Sequence, residues 1–266
     1  MGVWRWLGRV PFAETVRQQE LARAHVLRGD GPETLLLCEH HPVVTMGRSA
    51  NRANVLASPA DLARRGVDLH AASRGGDVTY HGPGQLVGYP IVRLRTGVVD
   101  HVTAMARAIA GVLRELGIDA RWRRETPGLW VDDNTGRGSG SSGRGSGSSE
   151  RGSGSSDRGS GKICAFGVHV HRRVTMHGFA LNVAGALDGF NLIVPCGLQA
   201  SRTTSIAAAL PEGRSIPPMH VLASRVAAAL GRELGTTFEP AIESPSRVTH
   251  IENVEMSVRI TRMIQA

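Results

Sequence analysis

Apolar side chains recur at helical spacing along residues 11–27, and Gly29-Asp30-Gly31-Pro32 stops the run, which predicts a first helix. The same periodicity predicts helices over residues 100–116, ended by Gly117, and 218–234, ended by Gly235. Two short β-prone runs, residues 34–38 and 43–46, flank Glu39-His40-His41-Pro42 and read as strands meeting at a tight connection. Further strands are expected at residues 129–131, 163–171 and 177–183, the last two forming a hairpin across residues 172–176. Strands and helices mix without regular alternation, so the expected class is α+β, a mixed β-sheet with packed helices.

One stretch carries no apolar pattern. Residues 134–161 repeat a unit Arg-Gly-Ser-Gly-Ser-Ser-x, with Arg137, Arg144, Arg151 and Arg158 in register. A coiled coil needs two apolar positions per heptad, so a solvated, disordered insertion is expected instead. The expected organisation is one domain over residues 1–240, interrupted by that insertion, with residues 241–266 as an extension matching nothing recognisable. The longest apolar runs, such as residues 35–38 and 206–210, fall far short of the roughly 18 residues a membrane span needs. Arg5 and Arg9 interrupt any secretory apolar core, so a cytoplasmic location is expected.

The net charge of +8 suits acidic partners without choosing among them. Every basic residue but Lys162 is arginine, which leaves Lys162 as the one side-chain amine that surroundings could deprotonate, unless a single lysine is an accident of composition. Cys38, Cys164 and Cys196 are odd in number and far apart, which argues against a disulfide framework and CxxC metal chemistry. Cys38 and Cys164 lie in apolar strands and read as packing. Cys196, on a Pro195-Cys196-Gly197 bend, is either a buried structural cysteine or a nucleophile needing a nearby cation.

Residues 74–91 place two glycine clusters around a β-prone run, so backbone there can approach a ligand closely or simply turn. The segment lacks both the P-loop ending and the dinucleotide glycine spacing. Strand alternation puts Lys162, Cys164 and Phe166 on one face and Ile163, Ala165 and Gly167 on the other. His169 and His171 share a face, but two histidines need further zinc ligands and spacing places none, so no metal site is expected. If Lys162 lies beside Cys196, the two form a Cys-Lys dyad suited to acyl transfer.

Five segments in order then resemble the lipoyl/octanoyl transferases. They are residues 39–48, 74–91 and 162–167, His177-Gly178-Phe179-Ala180-Leu181-Asn182-Val183, and Pro195-Cys196-Gly197-Leu198. The resemblance implies a fold like the catalytic domains of biotin- and lipoate-protein ligases. It implies octanoyl transfer from acyl carrier protein to lipoyl domains of 2-oxoacid dehydrogenase complexes and the glycine cleavage H protein. Cys196 would carry the acyl thioester and Lys162 would lower its pKa and act as acid/base. The acyl pocket would be lined by Arg74, Gly75, Gly76, Asp77, Val78, Thr79, Tyr80 and His81, with Ala165, Phe166, Gly167, Gly178, Phe179 and Ala180. The small residues among these fit a tunnel for an unbranched chain. No cofactor is implied, because the acyl group arrives activated, and no membrane or nucleic acid takes part.

The insertion departs from the family, which has a tight turn directly before its lysine. An ATP-dependent ligase on the same fold would need no nucleophilic cysteine, and Pro195-Cys196-Gly197 argues against it. A non-catalytic nucleic-acid-binding protein would account for the charge but leaves Cys196 and Lys162 unexplained; its repeat has no aromatic residues for base stacking.

Overall fold

The computed structural model describes residues 1–132, 160–185, 187–194 and 202–241. Cys196, the expected insertion up to residue 159 and the extension beyond Ala241 lie outside the described residues. The described chain runs β1 (Gly2–Val10), α1 (Phe12–Arg28), β2 (Glu33–His40), β3 (Val43–Met46), α2 (Pro59–Arg64), β4 (Asp68–Ala71), β5 (Val78–His81), β6 (Gln85–Ile91) and α3 (Val98–Glu115). It continues with β7 (Ala120–Arg123), β8 (Gly128–Asp132), β9 (Ser160–His171), β10 (Val174–Asn182), β11 (Arg202–Thr203), α4 (Ile206–Ala209), α5 (Met219–Leu234) and β12 (Phe238–Pro240).

The three expected helices form within two residues of their predicted ends. Left-handed Gly29 and Gly235 close α1 and α5, a conformation glycine adopts without steric cost. The hairpin forms with a shorter turn than expected, because Arg172 and Arg173 both take positive φ, 46° and 63°. Two such residues match the right-handed twist of the flanking strands, so β10 begins at Val174. Ser160 and Gly161, assigned to the insertion by their repeat, are the first residues of β9.

The main sheet has the order β12-β1-β2-β6-β10-β9-β8-β7, with β11 added to β9. Strands β1, β2 and β12 pair in parallel and the rest of that path antiparallel, so the sheet is mixed, as the α+β expectation required. A smaller sheet, β4-β3-β5, stands apart. Strands β2 and β3 therefore do meet at His41-Pro42 but belong to different sheets.

Alternation divides the main sheet into two apolar faces. Leu35, Leu37, Leu86, Phe179 and Leu181 pack with Met105, Ile109 and Leu113 of α3 and Leu222, Val226 and Leu230 of α5. Leu36, Cys38, Val87, Tyr89 and Ala180 lie on the other face with Val26 of α1. Both Cys38 and Cys164 are fully buried packing residues. No helix among the described residues is long and apolar enough to cross a membrane.

Ile109 has no exposed surface and sits in the larger core. Ile109→Ala is expected to lower stability by about 2–5 kcal/mol through lost transfer free energy and the cavity left behind, measured by chemical denaturation.

Candidate active site

A cavity opens between β9, β10 and the loop leading into β5. It encloses about 550 Å³, mouth included. Its lining includes Arg74, Gly75, Gly76, Asp77, Val78, Thr79, His81, Ala165, Phe166, Gly167, Gly178, Phe179 and Ala180, all singled out from sequence. Phe12, Val87, Tyr89 and His177 also line it and were not among the expected lining residues.

Tyr80 is the exception among the expected lining residues. Alternation along β5 turns it away from its neighbours Thr79 and His81, and its ring packs edge-on against Phe190 at 5.7 Å beside a second, smaller cavity. Two of the lining glycines also permit close backbone approach. A Cβ on Gly167 would lie 3.2 Å from the Gly75 carbonyl, and one on Gly178 only 2.3 Å from that of Gly88. Gly167 thus lets the loop close on β9, and Gly178 lets β10 close on β6.

The charged lining residues serve the loop. Arg74 donates to the Thr45 carbonyl at 2.7 Å and to the Thr45 hydroxyl, while the Gly75 N–H holds the Val168 carbonyl at 3.0 Å. Asp77 accepts from the Asn51 N–H and the Asn54 side chain. The loop is thus braced against β3 and β9.

His177 has φ of 58°, uncommon for a residue with a Cβ. Regular alternation would turn it with Phe179 and Leu181 toward α3. The left-handed backbone instead brings its ring to Tyr89, 6.4 Å between centroids, and its Nε2 to the Ser73 hydroxyl at 2.9 Å. The register between Phe179–Gly88 and Val174–Arg93 sets it across from Pro90, which has no N–H for the ladder. Gln19 of α1 accepts the His177 N–H at 2.8 Å.

Two further histidines have tautomers fixed by acceptor-only carbonyls. His40 Nδ1 faces the Val10 carbonyl at 3.0 Å and must carry the proton, so its Nε2 accepts from the Tyr89 hydroxyl at 2.6 Å. For His81 the constraint passes through two amides. The Thr204 carbonyl accepts from Asn182 Nδ2, so Asn182 Oδ1 accepts from Gln85 Nε2, and Gln85 Oε1 accepts from His81 Nδ1 at 2.6 Å. His81 Nε2 is therefore the lone-pair nitrogen. Burial, reinforced by neighbouring His40, pushes the His81 pKa down to about 3, and burial takes His40 down to about 4. Burial and then the charge of Arg74 lower His177 to about 3.

Lys162 departs from its expected face. Strand β8 pairs Leu129 with Cys164 but its next residue, Trp130, with Lys162, so Ile163 is skipped. This bulge puts Lys162 and Cys164 on opposite faces. Cys164 lies in the core under α3, and Lys162 shares the cavity side of the sheet with Ala165. The Thr204 N–H donates to the Lys162 carbonyl at 3.0 Å, and Thr203 pairs with Lys162. Eight residues before Thr204 is Cys196; two residues before Cys196, the Val194 N–H holds the Asn54 carbonyl at 2.7 Å. No group of three or more His, Cys, Asp or Glu suited to a metal occurs among the described residues.

Residues 11–230 match the model of the lipoyl protein ligase A/B catalytic domain. The octanoyltransferase of Myxococcus xanthus is 39% identical over 81% of this chain, which spans 55%, about half, of that relative. The octanoyltransferase of Acidobacterium capsulatum is also 39% identical, over 75% of this chain and 77% of its own length. Among solved structures, a bipartite lipoate protein ligase from Thermoplasma acidophilum has a TM-score of 0.61 at 16% identity, covering 91% of this chain and 88% of that one. A lipoate-protein ligase A bound with ATP has a TM-score of 0.64 at 15% identity, covering 91% and 90%. These two likenesses establish the lipoate-ligase fold.

The buried neutral histidines carry a pH signature. Between about pH 4 and the unfolded value near 6.5, the unfolded chain binds protons that folded His40, His81 and His177 refuse. Stability therefore rises with pH across that window and levels off above it. Thermal melts should show Tm falling as pH drops from 6.5 to 4, and His81→Gln should flatten that slope by up to one proton.

Proposed function

The chain belongs to the lipoyl protein ligase A/B catalytic family, and we propose that it is an octanoyltransferase acting in the cytoplasm. It takes octanoyl groups from octanoyl-acyl carrier protein and passes them to a lysine on lipoyl domains, those of 2-oxoacid dehydrogenase complexes and the glycine cleavage H protein. The observation that carries this reading is the 39% identity with octanoyltransferases across most of the chain. The lining supports it, because Phe12, Val78, Val87, Phe166, Phe179 and the two alanines offer apolar contact to an alkyl chain. Each buried methylene contributes about 0.8 kcal/mol. Residues 1–240 act as one catalytic unit interrupted between β8 and β9, before Ser160, with 241–266 as an extension.

In this scheme the acyl chain lies between the loop of Arg74, Gly75, Gly76, Asp77, Val78 and Thr79 with His81, and the strand residues Ala165, Phe166, Gly167, Gly178, Phe179 and Ala180. The Cys196 thiolate, stabilised by the Lys162 ammonium, attacks the donor thioester carbonyl. The carrier's thiolate leaves and takes the Lys162 proton, and the octanoyl group remains on Cys196 Sγ. The acceptor lysine amine then attacks this thioester and gives up a proton to Lys162 as the Cys196 thiolate departs, leaving a stable amide. The support for a nearby cysteine is that Thr204, eight residues after Cys196, bonds the Lys162 carbonyl. The acyl group arrives activated, so neither ATP nor another cofactor is required.

Intact-protein mass spectrometry after mixing with octanoyl-acyl carrier protein, without ATP, tests the scheme. The wild-type chain should gain an octanoyl mass that hydroxylamine removes, and Cys196→Ala should gain none. An adduct that persists in Cys196→Ala, or acyl transfer that requires ATP, would replace this reading with a ligase mechanism.

A further inference from the structure

We infer that Trp130 is a positioning residue for Lys162, holding its amine in the ammonium form against the indole face. This rests on the reading of Lys162 as the acid/base of acyl transfer. Three consecutive residues of β8 build the seat. Leu129 pairs with Cys164 and goes into the core, and the bulge after it turns Lys162 toward Trp130. Gly128 leaves room for the lysine stem, because a Cβ there would lie 3.0 Å from Lys162 Cε and 3.1 Å from Cδ. Trp130 then receives the end of the side chain, with Nζ 4.9 Å from its ring centre.

The ring is itself fixed. Trp130 is 4% exposed, and its indole N–H donates to the Thr126 carbonyl at 3.1 Å. Arg123 sets a second cation 4.8 Å from the same ring centre. Its guanidinium also donates to the Ser160 hydroxyl at 3.0 Å and pairs with Asp132 at 3.5 Å, tying the end of β8 to the start of β9. Trp130 and Arg123 thus brace the strand two residues from the lysine.

An indole face is negative at its centre and attracts an ammonium group but not a neutral amine. The ring therefore favours the charged form that stabilises a neighbouring thiolate. In the proposed mechanism thiol and amine form one titrating pair, so loss of the ring should move the alkaline limb of thiolate acylation toward lower pH. A residue that merely packed the sheet would leave that limb in place.

The test measures thioester formation on the full chain from octanoyl-acyl carrier protein across pH, by quenched mass spectrometry. Trp130→Phe should shift the alkaline limb down by about half a unit. Replacing the tryptophans biosynthetically with fluorotryptophans, which weakens the ring's charge distribution but keeps its shape and so preserves folding, should shift the limb in step with fluorination. Trp4, Trp6 and Trp122 are also replaced, so the same series in Trp130→Phe should show no further shift. A limb unmoved by both changes would overturn the inference. Lys162→Met separates the two readings. Wild-type acylation in that variant would remove Lys162 from the mechanism, whereas its loss alongside unmoved Trp130 profiles would overturn the role of Trp130 alone.

Discussion

The two-sided pairing of β9 is the constraint on which the other parts of the site depend. From Cys164 to His171 its residues pair with β10, and from Ser160 to Ala165 with β8, while β11 joins it at Gly161 and Lys162. A strand held on both edges cannot slide without breaking several ladders at once. Ala165 and Ala180, directly paired, therefore stay in the cavity wall. The single bulge opposite Leu129 is the one place where β8 and β9 change step, and it falls beside the lysine.

The opposite side of the cavity is unusually polar for a protein interior. His81 and His177 line it and His40 lies behind Phe12 and Tyr89, each with a hydrogen-bonded partner and each kept neutral by burial. Buried polar groups are tolerated only when paired, and the pairing here is directional. Backbone carbonyls can only accept, and that fact propagates through Asn182 and Gln85 to fix which nitrogen of His81 bears its proton. His177 adds a backbone cost of about 1–3 kcal/mol, offset in part by Gln19 and Ser73.

Much of this was legible in the sequence because the signals are local. Helical periodicity with terminal glycines located α1, α3 and α5, while the glycine clusters of residues 74–91 and the family resemblance at 165–167 and 178–180 pointed to the segments that now share a cavity. What escaped has non-local causes. Strand β1 interleaves Arg5 and Arg9 with Trp4, Trp6 and Leu7, and only its neighbours β2 and β12 make it a strand. The face taken by Lys162 depends on a bulge set by β8, which no alternation within β9 reveals. The turning of His177 occurs opposite Pro90, some ninety residues away on another strand. Tyr80 was legible in principle, since period-two alternation separates it from Thr79 and His81. A motif read as one continuous lining hides that alternation.

The β8–β9 junction has a practical meaning. Asp132 faces Ser160 across the ladder, and directly paired residues lie roughly 5 Å apart. Any connection between them starts and finishes at neighbouring points, so doubling its length adds only about 0.6 kcal/mol of closure entropy. The junction is therefore a graft point, where a fluorophore, an affinity tag or a whole foreign domain can be spliced in while the ladder beneath it keeps its register.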